Sequence, residues 1–170
     1  MPQKAKKNWL IQNLEKFDKT VVFTRTKHGA NRLTTDLEKA GIEALAIHGN
    51  KSQAARQRAL GEFHAGRLKV LIATDIVARG IHVDDVSHVV NFDLPEEAES
   101  YVHRIGRTAR AGKSGIAITL CDPSERAKLR GVEKLTGLRF DVQKSDFATD
   151  EALAASASEE APRRGKSNGN

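Results

Sequence analysis

KVLIATDIVARGIHVDD (69–85) decides the fold of this chain. Its first part, KVLIAT (69–74), is apolar without alternation, the pattern of a strand covered on both faces of a parallel sheet. It then leaves that strand through Thr74 and Asp75 and runs on to Arg79 and Gly80. A strand buried on both sides needs a helical layer above and below, so its neighbours should alternate strand with helix.

They do. Upstream, TVVFT (20–24) reads as a strand after an amphipathic segment around Trp9, Leu10, Leu14 and Phe17. Ala30, Leu33, Leu37 and Ala40 recur at helical spacing over 27–40, and Gly41 stops them. EALAIH (43–48) is the next strand, followed by a helix that Ser52 can cap and that Gly66 ends. Downstream, SHVVNF (87–92) is a strand, EEAESYVHRIGR (96–107) a helix with acids in its first turn, and GIAITL (115–120) a strand. A last helix runs from Asp122 or Ser124 to about Thr136, and RFDVQ (139–143) is expected as a short edge strand. The class is α/β, three-layered, with a mainly parallel central sheet flanked by helices. In such sheets ligands bind outside the carboxyl ends of the strands.

Composition narrows the function. Hydrophobic residues make up 39% of 170, enough for a single core once the polar stretch after Ala148 is set aside as a disordered tail. No run approaches the ~18 apolar residues that span a bilayer, and no signal pattern opens the chain, so a cytoplasmic protein without a membrane partner is expected. The lone Cys121 can form no internal disulfide, and no pair of histidines has metal-site spacing, so no metal site is expected. Lys and Arg number 28 against 22 acids, a net charge of +6 that favours a polyanionic partner. Aromatics at 5% provide no platform for stacking bases, so contacts to nucleic acid should go to its backbone.

HRIGRTAR (103–110) is the most informative stretch. Arg104, Arg107 and Arg110 recur every three residues, so guanidinium groups on a helix can converge on one polyanion. Gly106 inside that helix costs roughly 1 kcal/mol relative to Ala, which suggests close approach of a ligand to the backbone. Fixed arginines of this kind stabilise the charge that develops on a transferring phosphoryl group. TRTK (24–27), HGNKSQAAR (48–56) and the exit through Thr74 and Asp75 add hydroxyls, amides and helix N-terminal N–H groups suited to phosphates. AGKSG (111–115) imitates a P-loop, but the motif needs Gly at position 107, where Arg stands, and the segment precedes a strand.

With these stretches in order, residues 8–143 resemble the C-terminal RecA-like helicase domain of DEAD-box RNA helicases, with a flavour similar to the bacterial RhlE-type subgroup. VVFTRTK (21–27) looks like motif IV. Gln53 and Arg56, followed by GEFHAG (61–66), look like the region of motif IVa. LIATDIVARGIHV (71–83) looks like motif V, NFDLP (91–95) like the link that follows it, and YVHRIGRTAR (101–110) like motif VI. The resemblance implies a two-domain ATPase that clamps RNA, single-stranded or duplex, without reading its sequence. It implies that Arg107 and Arg110 are arginine fingers reaching ATP, and that Arg79, Gly80, His82, His103 and Arg104 couple the ATP and RNA sites. Thr26, Gly49, Asn50, Thr74 and Asp75 would meet the RNA sugar–phosphate backbone.

Two positions depart from the family pattern. His82 stands where motif V usually has Asp, with Asp84 and Asp85 nearby, and Ala109 replaces the second Gly of motif VI. No P-loop, no DEAD sequence and no Q motif occurs in the chain. The resemblance therefore implies that ATP with Mg2+ is held mainly by an N-terminal RecA-like domain, with residues 1–8 as the linker from it, 9–147 as this domain and 148–170 as the tail. The alternatives are a DNA helicase of the same superfamily and a stand-alone RNA-binding or regulatory module.

Overall fold

Each strand of this chain carries apolar side chains toward both of its faces, and the packing follows from that alternation. In the computed structural model, which describes residues 1–75, 86–105 and 115–143, the order is α1 (Gln3–Leu14), β1 (Thr20–Phe23), α2 (Lys27–Lys39), β2 (Ala44–Ile47), α3 (Gln53–His64), β3 (Val70–Ala73), β4 (His88–Asn91), α4 (Ala98–Ile105), β5 (Ile116–Thr119), a 3-10 turn (Pro123–Glu125) and α5 (Arg126–Thr136). The strands pair in the order β2-β3-β1-β4-β5, and every pair is parallel. Val22, Val70, Ile72 and Val90 face Leu10 and Leu14 of α1 and Ala30, Leu33 and Leu37 of α2. Their neighbours Val21, Leu71, Ala73 and Val89 face Ala59 and Phe63 of α3. Burying a side chain such as Phe63 contributes about 1.5–3 kcal/mol. The central strands β1 and β3 are covered on both sides, as KVLIAT implied.

Local signals set the helix ends. Thr26 caps α2, its Oγ1 accepting the Gly29 N–H at 3.0 Å, and Ser52 caps α3 by accepting the Ala55 N–H at 3.1 Å. Gly41 and Gly66 turn the chain out of α2 and α3 at φ 81 and 78, a region other residues enter at a cost. Asp122 and Glu125 form a reciprocal capping box at the start of the last helical segment.

One element is corrected. RFDVQ (139–143) is not a strand in this structure. Gly137, at φ 71, closes α5 and turns the chain back. The Phe140 N–H donates to Glu133 Oε1 at 3.0 Å and its ring packs edge-on against Tyr101, 5.4 Å between centroids. The segment therefore lies along the α4–α5 layer, where Phe140 finds apolar cover. Residues 3–8 form the first turns of α1, and Lys6 is buried with its ammonium 2.9 Å from Glu125. No described helix is long and apolar enough to cross a membrane. The tail from 148 lies outside the described residues.

Candidate functional site

Because the strands are parallel and in register, their exits share one edge of the sheet. Phe23, Ala73 and Asn91 are paired across it, with Ile47 beside Ala73. The next residues along each strand are Thr24–Thr26, His48–Asn50, Thr74–Asp75 and Phe92–Asp93. β1 leads away to β2 on one side of the sheet and β4 to β5 on the other, so the connections leaving these adjacent strands diverge at their carboxyl ends. A crevice opens for ligands at such a point. Asp93 spans it, accepting the Arg25 N–H at 3.0 Å.

At the centre of that edge lies Arg104. Its side chain is 1% exposed, although it comes from the same helix as the exposed His103. Nε and Nη2 donate to the two carboxylate oxygens of Asp75 at 2.5 and 2.7 Å, a fork on a fork. Nη1 donates to the Asp93 carbonyl at 2.6 Å and to Asn91 Oδ1 at 3.3 Å, and the guanidinium lies 5.0 Å over the Phe23 ring. Asn91 is itself fully buried and donates from Nδ2 to Thr119 Oγ1, which also meets the Tyr101 hydroxyl at 2.9 Å. One side chain of α4 thus ties together the exits of β3 and β4. Among the described residues no buried side-chain nitrogen or oxygen lacks a partner. A buried cation with such a fixed set of acceptors holds backbone segments in place, because losing any one partner leaves charge stranded.

A second group forms a basic corner where β1 and β2 end. The Lys51 N–H donates to the His48 carbonyl at 3.0 Å, which folds His48–Lys51 into a turn with Gly49 and Asn50 exposed at its crown. Lys27 Nζ reaches Asn50 Oδ1 at 3.4 Å, and Arg56 Nε donates to the Lys51 carbonyl at 3.1 Å. Gly49 has no positive φ, and a Cβ added there would meet nothing within 4 Å. Neither conformation nor internal packing requires a glycine at that place.

Of the residues singled out in the sequence, Thr26, Gly49, Asn50, Thr74 and Asp75 come together along this edge. Thr26 Oγ1 serves as a helix cap, Thr74 is buried, and the Asp75 carboxylate is engaged by Arg104. Arg79, Gly80, His82, Arg107 and Arg110 lie outside the described residues, as do Asp84, Asp85, Gly106 and Ala109. Sequence reasoning passed over Asn91, Asp93, Asn31 and His48. Asn91 had a usable signal: a polar amide inside the apolar run HVVNF must find partners if it is buried.

Comparison with known proteins places the fold in a family. A family model described as the helicase conserved C-terminal domain matches residues 5–112. The DEAD-box ATP-dependent RNA helicases CshA of Bacillus licheniformis and Bacillus subtilis are each 47% identical over 133 residues, covering 78% of this chain and 27% of their own length. The chain thus spans about a quarter of the curated relatives it matches. Among solved structures, the E. coli DEAD-box protein SrmB, bound to regulator of ribonuclease activity A, superposes with a TM-score of 0.77 at 35% identity over 89% of this chain and 88% of that one. The C-terminal domain of the DEAD-box protein Dbp5 gives 0.72 at 35%, covering 80% and 81%. S. cerevisiae Dbp5 bound to RNA and ADP BeF3 gives 0.78 at 32%, covering 92% and 42%.

Proposed function

Because the chain belongs to the helicase conserved C-terminal domain family, and within it to the DEAD-box proteins, we propose that it works as one half of an ATP-dependent RNA helicase. It grips the RNA backbone at the exits of β1, β2 and β3. Through Arg107 and Arg110 it also contributes to an ATP site shared with an N-terminal RecA-like domain. The observation that supports this reading is the Arg104–Asp75 clamp, which ties α4 to the exit of β3 beside the proposed RNA surface. The coupling role proposed for Arg104 then runs through Asp75 inside the domain, and that of His103 through its exposed side chain.

The chemistry is phosphoryl transfer from ATP to water. The half described by this sequence contributes positive charge to the transferred phosphoryl through Arg107 and Arg110, while Arg79, Gly80 and His82 link that site to the RNA. Mg2+ would accompany the nucleotide, held mainly by the N-terminal half. A cytoplasmic location suits this work. The relatives and structures named above are DEAD-box proteins, which disfavours a DNA helicase.

Two measurements test the reading. The isolated chain should hydrolyse ATP at background rate, and RNA-stimulated hydrolysis should appear when a P-loop- and DEAD-bearing N-terminal half is fused to it. Failure of the fusion to respond to RNA would count against the assignment. Separately, single-stranded RNA should bind the chain weakly, with no preference among unrelated sequences and with strong salt dependence. Gly49→Ala should leave the melting temperature unchanged, because its Cβ enters open space. It should nonetheless weaken RNA binding several-fold at low salt. Unaltered RNA affinity in this variant would remove Gly49 from the contact surface.

A further inference from the structure

His48 is 2% exposed, yet it sits at the base of the most exposed turn of the basic corner. Its Nε2 lies 2.8 Å from Asn31 Oδ1, and its Nδ1 lies 3.2 Å from the Asn50 backbone nitrogen. The Asn50 N–H can only donate, so Nδ1 must carry a lone pair. The Asn31 oxygen can only accept, so Nε2 must carry the proton. Both contacts are satisfied together by a single species, the neutral Nε2–H imidazole. The ring thereby fixes Asn50 from inside, while the His48 carbonyl fixes Lys51.

The surroundings hold the ring in that state. Burial depresses its pKa from the usual imidazole range, and Lys51, Lys27, His28 and Arg56 add to the effect. These groups come from the turn itself, from α2 and from α3, and all are cationic or can become so. Protonation would set an Nδ1–H against the Asn50 N–H, two donors face to face, and the turn would have to move.

We propose that His48 is a positioning residue for RNA binding: its neutral ring holds the Gly49–Asn50 turn in the shape that receives a phosphate, and protonation releases that turn. The proposal rests on the reading that this corner contacts the RNA backbone. Its pH direction is unusual. If charge alone mattered, acidification would add a cation to a phosphate site and tighten binding. Here binding weakens as pH falls through the lowered pKa of His48, below about 6.5. The linked stability has the same sign. The folded pKa lies below the unfolded one, so the contribution is complete above the unfolded value and declines as pH falls through the interval between them.

The test uses the 170-residue chain, labelled with 15N, between pH 8 and pH 5. Long-range proton–nitrogen correlation should show the Nε2–H tautomer of His48 at neutral pH. The Asn50 amide should shift with the same midpoint as the ring. Binding of a fluorescent oligouridylate, followed by anisotropy at fixed ionic strength, should fall on the order of tenfold through that midpoint, the size of a lost hydrogen bond to a charged group. His48→Asn keeps an oxygen able to accept the same N–H two residues on and does not titrate. It should bind like the wild type at pH 7.5 and lack the loss at this midpoint. His48→Leu should bind about tenfold more weakly at pH 7.5, with no titration there. The Nδ1–H tautomer or a charged ring at pH 7.5, with RNA binding intact, would overturn the positioning role alone, as would tighter binding in acid. No RNA binding at any pH, with the tautomer as described, would overturn the RNA reading and this role with it. If His48→Leu does not fold, the wild-type titration and His48→Asn decide the question.

Discussion

Arg104→Ala should lower the unfolding free energy of this domain by about 3–5 kcal/mol, the scale for breaking a buried ion pair by removing one member. Its guanidinium is buried and shared among the Asp75 carboxylate, the Asp93 carbonyl and Asn91 Oδ1. Truncation leaves Asp75 without its counter-charge and Asn91 and Asp93 without a donor, in a space that alanine does not fill. For a chain of this size the melting temperature should drop by on the order of 10 °C. Arg104→Lys should recover little, because an ammonium cannot match both carboxylate oxygens while also reaching the Asp93 carbonyl. In a double-mutant cycle Arg104→Ala and Asp75→Ala should be strongly non-additive, since each removes the same contact. A melt of Arg104→Ala within a degree or two of the wild type would show that Arg104 is not the tie between the β3 and β4 exits.

The same residue shows what could be read from the sequence. Arg104 was visible as one of three arginines spaced by three, and helical spacing suggested that they share a face. That spacing cannot distinguish a guanidinium that looks outward from one buried under its own helix. The difference depends on Asp75 and Asn91, which are distant in sequence and come together through strand order. The strands were legible because burial on both faces leaves an unbroken apolar run, as in KVLIAT, and the helix starts because Thr26 and Ser52 are good caps. RFDVQ misled for a physical reason: its alternation fits an edge strand, but Phe140 gains more against Tyr101 than it would on an open sheet edge. His48 was legible only as the first residue of HGNKSQAAR, with no role of its own. A histidine in a polar loop has many uses, and its importance comes from Asn31, which lies on α2, a separate element.

Arg107→Ala should act in the opposite way to Arg104→Ala. In a two-domain enzyme restored by an N-terminal half, it should cut kcat on the order of 10³-fold or more, the contribution of an arginine finger to phosphoryl transfer. The charge it offers matters most as the γ-phosphoryl leaves, so the loss should fall on kcat, with a smaller change in the KM for ATP. Arg107→Lys should rescue little, because a point charge does not reproduce the planar fork of donors. Arg110→Ala should follow the same pattern. The isolated domain carrying Arg107→Ala should melt close to the wild type, as a side chain reserved for a partner domain contributes little to its own fold. Arginines three positions apart on one segment would then divide the work, Arg104 bracing the strand exits from inside and Arg107 serving the nucleotide. A brace at 107 would give the reverse pattern, lowered melting temperature with normal turnover per folded molecule, and that result would sink the finger assignment. Measuring kcat and melting temperature for Arg104→Ala, Arg107→Ala and Arg107→Lys side by side separates the two roles without a structure of the complex.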